Sequence, residues 1–174
     1  MPILDQSFTT TPDATAILRF ASNNQVQIAQ QFTPTNGGIC TQVILGLRRN
    51  GTVSGNVSVA IYSDTGSNLP NAQIGTGSAN LDASTISVLS DPTTEEKTFT
   101  NISAIVTSGV KYWIVLSGDY SFSSTIYIAW GQVVAGGYSG GQRAIYDGTS
   151  WTANAADMYF KQYYDPIGGA ALFL

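Results

Sequence analysis

Histidine is absent from this chain, cysteine occurs once, at Cys40, and charged residues are scarce. Each shortage removes a class of function. No side chain here has an ordinary pKa near neutrality, so the Ser-His and Cys-His pairings that activate nucleophiles cannot be built. One cysteine excludes an intrachain disulfide framework. Its setting before Thr41, Gln42, Val43 and Ile44 reads as that of a small buried thiol. Seven basic residues against eleven acidic ones give a net charge of −4, and Arg48-Arg49 is the only adjacent basic pair. Phosphate-backbone binding needs several cations on one face, so no nucleic-acid partner is expected. No apolar run approaches the roughly 18 residues of a transmembrane helix, and no membrane partner is expected. Met1 to Asp5 lack a basic segment and an apolar stretch, so no secretory signal is expected. Without that route the sequons at Asn50, Asn56 and Asn101 carry no meaning.

What fills the chain instead is β chemistry. Of its 174 residues, 43% are hydrophobic but only 10% are charged, against a usual charged share of about 25%. Ser, Thr, Asn, Gln and Gly take the polar positions, and the helix formers Glu and Lys are rare. The densest β-branched and aromatic run is Val110 to Gly118, bounded by Ser108-Gly109 and Gly118-Asp119. A pleat puts Tyr112, Ile114 and Leu116 on one face and Lys111, Trp113 and Val115 on the other. Both faces are largely apolar, as for a central strand covered on both sides.

Around it, strands are expected near Val26–Phe32, Thr41–Arg49, Gly55–Ser63, Lys97–Thr100, Thr125–Trp130, Arg143–Tyr146 and Met158–Tyr164, with weaker ones near Gln73–Gly77 and Ile86–Leu89. Asn50-Gly51 and Asp147-Gly148 are hairpin turns. Asp64 to Pro70 reads as an extended loop, and Asp91 to Glu96 as an acidic turn. The count is eight to ten strands with no convincing helix, an all-β antiparallel β-sandwich, taken here as a jelly roll. It divides into an N-terminal arm (1–24), the sandwich (25–165) and an apolar C-terminal tail (166–174). The arm itself has room for one short strand, Ala16 to Phe20.

Gln31-Phe32-Thr33-Pro34, the strand Gly55 to Asp64, the segment Tyr112 to Gly118, and the Asp147-Gly148 hairpin leading to Trp151 and a closing Phe160-Lys161 strand form a recognisable set. In these pieces the chain resembles β-sandwich modules of bacterial surface proteins and phage virion proteins, which are similar to carbohydrate-binding jelly rolls. The resemblance implies the fold, and a job in adhesion or particle assembly.

Several constellations suggest chemistry. Gly137-Tyr138-Ser139-Gly140-Gly141 matches the G-x-S-x-G elbow of serine hydrolases, but no histidine can activate Ser139 and the flanks are not strand-to-helix. The acids fall mostly in turns, which argues for turn and capping chemistry rather than a paired-carboxylate glycosidase. No catalytic residue and no cofactor is expected. A structural Ca²⁺ could draw on Asp64 with Asn68, or Asp147 with Asp157, since it needs only oxygen ligands; no spaced loop supports it. Trp130, Tyr138, Tyr146 and Trp151 crowd one window. Trp130 reads as core, whereas Tyr138, Tyr146 and Trp151 are candidates for stacking on a glycan or a partner protein. Ile167, Leu172, Phe173 and Leu174 must bury somewhere and are candidate subunit contacts.

Together these features point to a non-enzymatic virion protein of a tailed phage: a capsid decoration or cement protein, or a small tail or fibre component. The expected partners are further copies of the chain, as a trimer, and the major capsid protein. The alternative is a carbohydrate-binding module or receptor-binding adhesin domain.

Overall fold

Residues 1–18 and 25–167 are described in the computed structural model of this chain. They contain no α-helix, only a 3-10 turn at Ala83–Thr85 capped by the Asp82 carboxylate. Two antiparallel sheets carry all fifteen strands, more than the eight to ten expected.

The first sheet holds β1 (Ile3–Phe8), β2 (Ala14–Leu18), β4 (Gly38–Asn50), β8 (Glu95–Phe99), β9 (Ala104–Val106), β11 (Tyr127–Val133), β14 (Asp157–Met158) and β15 (Phe160–Asp165). The second holds β3 (Gln27–Phe32), β5 (Asn56–Asp64), β6 (Pro70–Ile74), β7 (Leu81–Asp82), β10 (Tyr112–Gly118), β12 (Arg143–Tyr146) and β13 (Trp151–Asn154), in the order β13-β12-β3-β10-β5-β6 with β7 beside β5. Long β4 organises the first sheet, pairing with β15 and β11 and also with β8 and β9.

Period-two alternation builds the interior. Tyr112, Ile114 and Leu116 of β10, Ile28 and Phe32 of β3, and Val57, Val59 and Ile61 of β5 meet Val43, Leu45 and Leu47 of β4 and Trp130 of β11 in one buried cluster. Full burial of each such side chain contributes about 1.5–3 kcal/mol. The arrangement is that of a β-sandwich. A polar bolt crosses it: the fully buried Gln30 side chain accepts from the Met158 N–H (2.6 Å) and donates to Asp157 Oδ1 (3.1 Å). Low dielectric makes such a satisfied pair specific as well as stabilising.

The central strand is where the sequence places it, with β10 bonded to β3 on one side and β5 on the other. The first eighteen residues are not a free arm. β1 pairs with β15 through a register shift between Leu4 and Gln6, and β2 pairs with β11. Ile86–Leu89 forms no strand; it follows the 3-10 turn and makes only a bridge from Val88 to Arg49. Glu95 and Glu96 lie in β8 rather than in a turn, so their side chains leave opposite faces. Glu95 pairs with Lys97 and Glu96 with Lys161. The proposed strand end at Phe20, the turn at 22–24 and the contacts of Leu172, Phe173 and Leu174 lie outside the described residues.

Candidate functional site

The three aromatic candidates separate. Tyr138 turns inward: its ring lies 6.2 Å from Phe8 and 5.2 Å from Phe160, and its hydroxyl donates to Gln6 Oε1 (2.8 Å). Burial pushes its phenol up to about 12. The loop that carries it is fixed by buried Asp157, whose Oδ2 accepts from the Gly137 and Tyr138 N–H groups (2.8 Å each). Tyr138 is therefore packing, and Ser139 beside it sits in an exposed turn between two strands. A sequence window cannot distinguish an inward ring from an outward one when glycines flank it.

Tyr146 and Trp151 stay together on the outer face of the second sheet. They are a cross-strand pair with ring centroids 5.2 Å apart, tilted by 38°. Register continues their row across the sheet as Gln27, Ser117 and Ser58, with Gln27 Nε2 donating to Ser117 Oγ at 2.8 Å. The next row is Ala153, Ala144, Ala29, Val115 and Ala60. These small residues make a shallow floor, and Trp151, Tyr62 and Trp113 pack around it as a second apolar cluster. The indole N–H of Trp151 and the hydroxyl of Tyr146 have no hydrogen-bond partner among the described residues. The strip thus offers half-buried rings, free polar tips and an amide-hydroxyl row.

Trp113 also faces outward from β10 yet is fully buried. The loop 64–69 closes over it: its indole donates to Asp64 Oδ2 (2.8 Å), and Gln31 Nε2 donates to the same oxygen (2.8 Å). Asp64 Oδ1 accepts from the Gly66 and Asn68 N–H groups, and Asn68 takes a left-handed φ of 57°. The Asp64 carboxylate thereby accepts from four N–H donors. Asp147 Oδ1 similarly accepts from the Thr149 and Ser150 N–H groups, and these bonds hold its carboxyl below the usual range. Among the described residues no three acidic, histidine or cysteine side chains gather as a metal cluster.

Beyond that loop opens a cleft of about 840 Å³. Ile74, Ile105, Val110 and Tyr112 give it an apolar floor, and Asp64, Asn68 and Lys111 a polar rim, where Lys111 Nζ donates to Asn68 Oδ1 (2.6 Å). Sequence reasoning missed this feature, because its walls come from four distant segments.

Ile105, at the end of the first sheet that borders the cleft, is exposed. Across that end Asp165 of β15, Ile39 of β4 and Ile105 of β9 stand in one row, and Ile3 of β1 pairs with Tyr164. Ile105 is 65% exposed, Ile167 57%, and Ile3 and Leu4 48% each; Val110 and Met1 are exposed as well. Ile167, proposed as a subunit contact, is among the exposed apolar residues.

No family model matches the chain, and neither the curated proteins nor the solved structures yield a significant match. The resemblance to surface and virion modules finds no counterpart there, and the all-β sandwich that it implies is the part the structure contains.

Proposed function

We propose that this protein is a non-enzymatic structural subunit of a tailed-phage virion, a capsid decoration or cement protein or a small tail or fibre component. In this reading the sandwich is a jelly roll that assembles as a trimer and docks on neighbours such as the major capsid protein. The observation that carries it is the set of large apolar side chains left exposed, among them Ile3, Leu4, Ile105, Val110 and Ile167. Exposed apolar side chains that come together as a patch mark an interaction site. The low charge of the chain suits a surface shielded by neighbours. Mass spectrometry of gradient-purified particles from the phage that encodes the chain tests the proposal. Stoichiometric copies support it; particles without the chain refute it.

A second reading rests on the Tyr146–Trp151 strip. Half-buried rings beside an amide-hydroxyl row suit the apolar face and hydroxyl edge of a sugar. Glycan-array binding lost in Trp151→Ala and weakened in Tyr146→Phe, with unchanged circular dichroism, supports it. An array without signal for the parent protein rejects it. A virion subunit that binds glycans satisfies both readings.

A further inference from the structure

Just after β6 of the second sheet and just before β9 of the first, Thr76 and Ser103 exchange both backbone hydrogen bonds, at 3.0 and 3.1 Å. Gly75 permits this approach, with φ of 61° and so little space that a Cβ would come 1.8 Å from the Ser103 carbonyl oxygen. The 840 Å³ cleft opens beside the junction, with Gly75 and Ser103 among its walls. Its size falls within the roughly 300–1,000 Å³ of small-ligand sites, and the pairing of Thr76 with Ser103 holds its two sides in place.

The lining is of two kinds. Ile74, Ile105, Val110 and Tyr112 are apolar, and two of them are left in water, Ile105 at 65% and Val110 at 45% exposed. Asn68 and Lys111 are their polar counterpart. Lys111 Nζ donates to a neutral acceptor, Asn68 Oδ1 (2.6 Å), and among the described residues no carboxylate stands within ion-pair distance of it. The same two residues also line a second hollow of about 230 Å³, whose other walls include Gln31, Thr33, Ser139 and Gln142. A largely apolar chamber and a polar one thus share a cationic wall.

We propose that this cleft binds a small amphipathic carboxylate of the fatty-acid type. Its aliphatic body lies against Ile74, Ile105, Val110 and Tyr112, and its carboxylate meets Lys111 at the wall shared with the polar hollow. Charge selects the head, because an ammonium group bonds a carboxylate more strongly than the amide oxygen that Lys111 now holds. Asp64 lines the cleft too, but its two oxygens already accept from four N–H donors, which favour and offset its charge. The exposed isoleucine and valine select the body, since covering apolar surface drives such a chain out of water. The site lies within one copy of the chain and requires neither docking nor a glycan.

Amide NMR titration of the full chain with octanoate, 1-octanol and acetate tests it. Octanoate should give saturable shifts at the Gly75, Ser103, Ile105 and Lys111 amides. The uncharged 1-octanol should shift the same amides with an affinity about fivefold weaker, the scale of a surface ion pair, and acetate should shift none. Lys111→Gln should lower octanoate to the affinity of 1-octanol and leave 1-octanol unchanged, whereas Ile105→Ser should weaken both. No saturable shift at these amides overturns the proposal. Acetate that binds as well as octanoate overturns it too, since the apolar lining then contributes nothing. Equal affinity of the parent for octanoate and 1-octanol, or octanoate binding untouched by Lys111→Gln, removes the role of the charge and likewise overturns it.

Discussion

Removing the Asp64 carboxylate tests whether the loop 64–69 is what buries Trp113. In Asp64→Ala the Trp113 indole N–H and the Gln31 amide lose their 2.8 Å acceptor while both side chains sit almost wholly inside. A buried donor left without a partner costs about 1–3 kcal/mol. Gln31 keeps only a long 3.4 Å contact to Asn68 Oδ1, so its loss is nearly complete. The Gly66 and Asn68 N–H groups also lose their acceptor, but at an exposed site where water replaces it. The total is about 2–6 kcal/mol, a large share of the roughly 5–15 kcal/mol that holds a domain together. Urea titration followed by tryptophan fluorescence reads it: at a slope of about 2 kcal/mol per M, the midpoint falls by about 1–3 M. In a Trp113→Phe background the same substitution should cost at least about 1 kcal/mol less, because one donor is already gone. A midpoint shift under about 0.2 M, or strict additivity of the two substitutions, would refute the reasoning.

Three further outcomes follow from the same physics. Gly75→Ala forces a side chain into a left-handed position against the Ser103 carbonyl, costing about 1–3 kcal/mol in backbone strain alone; hydrogen exchange at the Thr76 and Ser103 amides, which bond to each other's carbonyls, should accelerate, and unchanged protection would contradict that pairing. Burial pushes the Cys40 thiol up to about 12, so a thiol reagent near pH 8 should label it only in denaturant, and full labelling of the native protein would be inconsistent with its place in the core. The hydrogen bond from Lys161, aided by Tyr159, holds the Glu96 carboxyl below its usual range. A depressed folded-state pKa contributes stability above the unfolded value and loses it as pH falls through the folded one. Glu96→Gln should therefore cost at most about 1 kcal/mol near neutrality, this being an exposed pair, and the difference should vanish under strong acid; a difference independent of pH would argue against the ion pair.

The parts of the fold legible in the sequence are those with strong periodicity. Val110 to Gly118 is apolar on both faces because β10 packs inward through Tyr112, Ile114 and Leu116 and outward through Trp113 and Val115. The first strand, β1, is hidden for a local reason, whereas β2 overlaps the short strand expected from Ala16. β1 carries polar residues at Asp5, Gln6 and Ser7 and a register shift after Leu4, which breaks a period of two. The Ile86–Leu89 alternation looked like a strand, but the Asp82 cap starts a 3-10 turn just before it. Among candidate residues, the Tyr146–Trp151 pairing follows from the Asp147-Gly148 turn between them, since a tight hairpin sets its flanking residues opposite each other. The inward turn of Tyr138 depends on Asp157, nineteen residues away and on another strand. The cleft depends on two strand edges that approach only in three dimensions, a relation that no local pattern records.

Sedimentation velocity of the purified chain against its Leu4→Asp variant reads whether the exposed apolar residues of the first sheet dock as proposed. The parent is expected to sediment as a closed multiple of the 18.4 kDa chain, and the variant, equally folded, as a single copy. A parent that remains one 18.4 kDa copy at every concentration, or a variant that assembles as the parent does, would contradict it.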